Sequence, residues 1–161
     1  MQDVDIFVFA RSLHIIGVVL WIGGVAFVTT VLIPSLKRIS ASENRLELFE
    51  RLENKFSFQA KIATLITGIS GVYMLFFMDV WSRYLELQFW WMHLMTFVWF
   101  IFTVVLFVLE PLFLHRWFHQ KATDNSDIAF MRLHTMHIIL LLLSLIAVFG
   151  AVAGSHGFLF F

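Results

Sequence analysis

The sequence predicts an all-α integral membrane protein, a four-transmembrane-helix bundle forming one domain over residues 1–161. Three observations predict it. Hydrophobic residues make up 60% of the chain and charged residues 14%, against about 45–50% and about 25% in soluble domains. The apolar residues gather in four uncharged stretches, and a bilayer-crossing helix needs about 20 such residues. Lys and Arg concentrate in two of the connecting loops, as the bias that orients membrane proteins requires.

Ser12 to Leu36 is the first span, uncharged with His14 neutral. Met1 to Phe9 carries Asp3 and Asp5 and no Lys or Arg. A signal peptide starts basic and has a shorter apolar run, so this segment is expected to persist as a spanning helix. Ile62 to Met78 is the second span and Leu87 to Leu109 the third. Leu133 to Phe161 is the fourth, long enough to tilt or protrude.

Between spans one and two, Leu46, Phe49, Leu52 and Phe56 recur at helical spacing. Glu43, Glu47, Glu50 and Glu53 alternate there with Arg45, Arg51 and Lys55. This predicts an amphipathic extension of the second helix, with Ser40, Ser42 and Asn44 as caps. Lys37, Arg38, Arg45, Arg51, Lys55 and Lys61 mark one loop, and Arg116, Lys121 and Arg132 the other. Both lie on one side. The opposite side has only Arg11 and Arg83. The expected topology puts both termini outside and the extension on the cytoplasmic side of a cell inner membrane. Trp81, Trp90 and Trp91 would mark the outer interface and Trp117 the inner one.

Pro34 and Pro111 fall near cytoplasmic helix ends, where a missing donor is tolerated. Ala60, Thr64, Gly68 and Gly71 in span two, and Ala147, Ala151 and Ser155 in span four, read as close-packing faces. These faces equally suit a homodimer. The formal net charge of +0 gives no reason to expect a nucleic-acid partner. The absence of cysteine excludes disulfides, zinc-thiolate sites, iron–sulfur clusters and covalent haem attachment.

Seven histidines carry the remaining chemistry: His14, His93, His115, His119, His134, His137 and His156. Ionisable groups in a bilayer are costly and commonly functional. His119 falls in a loop and His115 near the inner interface. His14 and His93 lie at comparable depth on spans running in the same direction. Two neutral imidazoles so placed supply both axial bonds of a haem iron. Gly17 and Gly24 leave room near the His14 face, and Trp21 returns to nearly that face. Thr96 follows His93 at helical spacing and offers a hydroxyl. The plain alternative is that each imidazole donates to a carbonyl of a neighbouring helix and does nothing else.

His137 and His156 are 19 positions apart in the sequence, about 28 Å along a helix, so they serve different sites. His137 is a candidate ligand of a second haem or of a quinone near the inner leaflet. His156 is a candidate contact for the outer haem. Glu110 is the one carboxylate near a span end and is expected to cap or to pair with Arg116. Met74, Met78, Met92, Met95, Met131 and Met136 fit a copper path or ordinary packing. No phosphate loop, Ser-His-Asp order or paired buried carboxylates appear.

The run from Arg11 through His14, Gly17 and Trp21 to Gly24 resembles the first helix of two membrane families. One is the HemJ-type protoporphyrinogen oxidase family and the other the CopD-type copper-resistance family. Both have a His followed seven residues later by Trp and then small residues. The segment Trp90-Trp91-Met92-His93 resembles the third-helix His motif of the HemJ type. Met95 stands where that type carries Lys, and Thr29, Thr30 and Pro34 where it carries Arg. The resemblance implies a haem held by His14 and His93. The resulting expectation is a b-type haem-binding membrane protein for electron transfer, with a quinone or another redox partner. The alternatives are a haem-dependent oxidoreductase of the protoporphyrinogen oxidase type and a CopD-like copper transport protein.

Overall fold

A backbone in lipid has no water to bond, so each crossing segment must close its own hydrogen bonds. The computed structural model describes residues 2–38 and 42–158, and their side chains except at 2, 42–46, 50, 113–126 and 129. Helix α1, Gln2–Phe27, continues through a wide π-helical turn, Val28–Leu32, into the short α2, Ile33–Leu36. Helix α3, Ser42–Met78, is one uninterrupted rod. Two 3₁₀ turns, Trp81–Leu85 and Leu87–Phe89, lead into α4, Trp90–Val104. A second π-helical segment, Val105–Leu114, joins α4 to α5, His115–Ser155. No strand occurs among the described residues.

Four stretches are long and apolar enough to cross a membrane: Asp3–Leu36, Glu47–Met78, Leu87–Leu112 and Phe130–Ser155. Only 22–28% of each apolar window is buried within the chain. The outward remainder, including Phe9, Ile16, Phe58, Ile69, Phe97, Phe100 and Phe149, therefore needs an apolar medium. The molecule is a multi-pass membrane protein.

Side-chain contacts give the register. Phe7 stacks on Phe77 and Phe27 on Phe56, which sets α1 antiparallel to α3. Gly154 lies against Trp91, and Gly150 against Trp90 and Trp91, so α5 runs antiparallel to α4. Helix α1 packs mainly along α3 and α4 mainly along α5, while α1 also meets α5 and α3 meets α4. The result is a ring of four, with both termini and the 79–89 connection at one end. The other, basic end carries Lys37, Lys61 and Arg132.

The core has two layers. Trp21, Val25, Ala63, Val98, Phe102 and Leu141 fill the middle, with Trp21 edge-on to Phe102 at 4.9 Å. Leu32, Ile33, Leu36, Phe49 and Phe130 close the basic end. Phe49 and Phe130 meet edge to face at 5.4 Å. The amphipathic pattern of the α3 extension thus ends in real packing, and the extension is continuous with the second span. The caps expected from Ser40, Ser42 and Asn44 lie outside the described side chains.

Helix ends follow from backbone chemistry. After Met78 the chain turns left-handed at Asp79, with Val80 N–H donating to Leu75 O. After Ser155 it does so at Gly157, with Phe158 N–H donating to Ala153 O. In both turns the bonds satisfy carbonyls that the ended helix leaves open.

Candidate functional site

His14 sits in the first half of α1 and is half-buried. Gly71 on α3 has no side chain, and the His14 ring edge lies against it. The Nδ1–H donates to the Thr67 carbonyl of α3 at 2.9 Å, and Ser70 Oγ lies 3.2 Å from the same nitrogen. Those bonds set the tautomer. Nε2 keeps its lone pair and has no hydrogen-bond partner among the described residues. An imidazole anchored through Nδ1 to a carbonyl is oriented to ligate through Nε2.

His93 is placed differently. It is exposed on α4, and its ring meets the edge of Tyr84 at 5.3 Å. Phe102 and Val98 face the core. His93 precedes Phe102 by nine positions, which at 3.6 residues per turn is half a turn out of phase. Its ring therefore points away from the bundle interior. His14 turns toward α3 and His93 toward the outside of α4, so one chain does not bring the two rings to a common point. Thr96, also exposed, exchanges a 2.7 Å hydrogen bond with the Tyr84 hydroxyl.

The space near His14 has been taken up by helix packing. A Cβ on Gly17 would stand 2.5 Å from Thr67 Oγ1 and 3.2 Å from Ala63 O, so Gly17 lets α1 and α3 approach. Trp21 is buried against Phe102. Gly24 faces Phe56 at van der Waals distance. A shallow groove of about 300 Å³ opens beside this layer, lined by Ile6, Phe9, Ala10, Leu13, Ile66, Ile69, Ser70 and Tyr73.

The span-four histidines are separate from both. His137 Nδ1–H donates to Leu133 O of its own helix at 2.9 Å. His156 Nδ1–H donates to Val152 O at 2.8 Å and is exposed. The side chains of His115, His119, Arg116 and Trp117 lie outside those described. Among the described residues no three His, Asp or Glu side chains gather as a metal site.

Two polar clusters at the basic end escaped the sequence reading. In the first, His134 joins three elements. Ile33 N–H donates to Val28 O, five residues back. In that register residue 34 would donate to the Thr29 carbonyl, and Pro34 has no N–H to give. His134 Nε2–H from α5 donates there instead at 2.9 Å, while its Nδ1 accepts from Lys37 Nζ at 3.0 Å. Thr29 is buried, so the bond fills a place water does not reach.

In the second, Glu110 leaves the π-helical segment just before Pro111 and turns toward α3. Ser57 Oγ lies 2.5 Å from both carboxylate oxygens, and Lys61 Nζ donates at 3.2 Å. Among the described residues the partners of Glu110 are therefore on α3, while the side chain of Arg116, the partner expected from the sequence, lies outside them. The signal was present in spacing: Ser57, Lys61 and Thr64 recur every three or four residues on one face of α3.

The chain matches no protein family, no curated protein and no solved structure with which it was compared.

Proposed function

We propose that the chain is a b-type haem membrane protein that transfers electrons, with a quinone or a second redox protein as its partner. The observation that supports it is the posture of His14. Its Nδ1–H is held by the Thr67 carbonyl, which fixes the ring and leaves the Nε2 lone pair available. The donor chemistry fits a haem iron at that nitrogen. A haem held there would exchange one electron, at a potential set by its ligands and its burial.

The chain's own residues do the holding. Thr67 and Ser70 orient His14, Gly71 gives the ring room, and the apolar walls of α1 and α3 exclude water. His93 cannot oppose His14 from the same chain, because it stands on the outer face of α4. In this reading a second imidazole would come from the His93 of a neighbouring copy, in a homodimer. The two basic loops face the cytoplasm of an inner membrane, by the Lys and Arg distribution.

The test is the visible spectrum of the detergent-purified protein expressed with ample haem. Wild type should show a sharp α-band on reduction. His14→Ala and His93→Ala should each lose it while the helical circular dichroism is kept. Colourless wild type under these conditions rejects the reading.

A further inference from the structure

His134 sits where spans one and four meet at the basic end, and both of its ring nitrogens are engaged. Nε2 faces the Thr29 carbonyl at 2.9 Å. A carbonyl oxygen accepts and cannot donate, so Nε2 carries a proton. Nδ1 faces Lys37 Nζ at 3.0 Å. A lysine ammonium donates and cannot accept, so Nδ1 offers its lone pair. The two bonds together admit one state of the ring: neutral, with its proton on Nε2. Thr29 is buried, and its carbonyl lacks the helical donor that Pro34 cannot supply. The ring is therefore held through Nε2, and Nδ1 stays aimed at Lys37.

The pair stands without a counter-ion. Among the described residues no carboxylate lies within ion-pair reach of Lys37 or His134. On α3, Glu47 pairs with Arg51, and Glu53 has a partner of its own. Asp127 of α5 likewise has its own partner. Glu110 is taken by Ser57 and Lys61. The other charged or titratable groups close by along the chain are Arg38, next to Lys37, and Arg132 and His137 on α5, none of them acidic. Lys37 is exposed and His134 half-buried, so water reaches the pair from the basic end. Histidine is the side chain that changes charge between about pH 5 and 8. A proton added at Nδ1 removes the acceptor and sets a second positive charge against the ammonium.

We propose that Lys37 and His134 form an acid-released clasp between the end of α2 and α5. In neutral solution the imidazole accepts from the ammonium, and the end of span one is tied to span four. On acidification a proton binds Nδ1, the hydrogen bond breaks, and Lys37 turns away from α5 into water. The bond from Nε2–H to Thr29 survives, because an imidazolium still donates there. Helix α5 thus keeps its hold on the π-helical turn, and the connection leaving α2 is freed. The sign follows from the geometry: the Lys37 bond stabilises at high pH and is lost as the pH falls. One proton is taken up from solution, and nothing is oxidised or reduced. The proposal is independent of the haem reading.

The test is a double-mutant cycle on the full chain in one detergent, read as the thermal midpoint of the helical circular dichroism at pH 8 and at pH 5. Lys37→Met keeps the stem and removes the donor. His134→Gln keeps an N–H for Thr29 and does not titrate. At pH 8, Lys37→Met should lower the midpoint by about 1–4 °C, the scale of one partly exposed charged bond. At pH 5 the same change should leave the midpoint unchanged or raise it. In the His134→Gln background the effect of Lys37→Met should be the same at both pH values. An equal loss at pH 8 and pH 5 with His134 in place overturns the proposal, and so does a pH-dependence that persists in the His134→Gln background. Should the glutamine variant not assemble, the site-resolved nitrogen-15 spectrum of wild-type His134 replaces it. That spectrum should show a proton on Nε2 alone at pH 8 and on both nitrogens at pH 5, and any other pattern overturns the proposal.

Discussion

His134→Ala removes the side-chain donor at the Thr29 carbonyl and allows a numerical expectation. The bond is 2.9 Å long, and Thr29 is 3% exposed. A buried acceptor left without its donor costs about 1–3 kcal/mol, so about 2 kcal/mol is expected from this bond. The need for it arises from Pro34, whose missing N–H leaves that carbonyl open. Pro34→Ala restores an N–H in the same helix. Pro34 opens the short α2, where proline is tolerated and its loss costs little. His134→Ala should therefore cost about 2 kcal/mol with Pro34 present and below about 1 kcal/mol in the Pro34→Ala background, a coupling typical of groups sharing one acceptor. His134→Gln, which keeps an N–H at similar reach, should lie between. The assay is reversible unfolding in mixed detergent micelles followed by far-ultraviolet circular dichroism. Equal costs in both backgrounds would refute the link between the proline and the histidine.

Gly17→Ala should destabilise the bundle by about 1–3 kcal/mol, because the new methyl meets Thr67 Oγ1 and the Ala63 backbone. Gly23→Ala meets nothing within 4 Å and should stabilise by about 0.5–1 kcal/mol through helix propensity; thermal melts of both in one detergent decide the contrast, and a Gly17 variant as stable as wild type sinks it. At the basic end, Ser57→Ala should cost about 1.5–3 kcal/mol, since it removes a buried hydroxyl from a charged acceptor. Lys61→Ala should cost less, about 1 kcal/mol or below, because that pair is partly exposed. The reverse order in an unfolding series would show that the carboxylate depends on the ammonium instead.

The wide turns in spans one and three have a common logic. Each is π-helical and each carries or precedes a proline at the basic end. π-Helical turns recur at functional positions. Here they release a carbonyl at Thr29 and present Glu110 sideways to α3. Both polar clusters exist because the helix is opened at these points. Neither was visible as a motif, since the histidine and the lysine that answer them are far away in sequence.

Much of the architecture was legible before any coordinates. Runs such as Leu87 to Leu109 can only be helices in lipid, because no other single segment closes its own hydrogen bonds there. The spacing of Leu46, Phe49, Leu52 and Phe56 likewise announced a helix that continues out of the span. The stripe Ala60, Thr64, Gly68 and Gly71 correctly marked a packing face, with Gly68 against Trp99 and Gly71 against His14. Periodicity did not say which neighbour that face meets. A four-helix ring allows several arrangements of equal hydropathy, and small rotations exchange an inward ring for an outward one.

Sequence alone therefore determined the number of crossings, their helical nature and the cost of placing imidazoles and hydroxyls among them. Tertiary structure decided the rotation of each helix about its axis: His14 turned to the carbonyl of Thr67, His93 turned outward beside Tyr84, and Glu110 reached Ser57 and Lys61. The reason is physical. Hydropathy in lipid is nearly blind to which apolar face is inside, so the choice falls to steric fit at glycines and to pairing of polar groups, and both depend on partners distant along the chain.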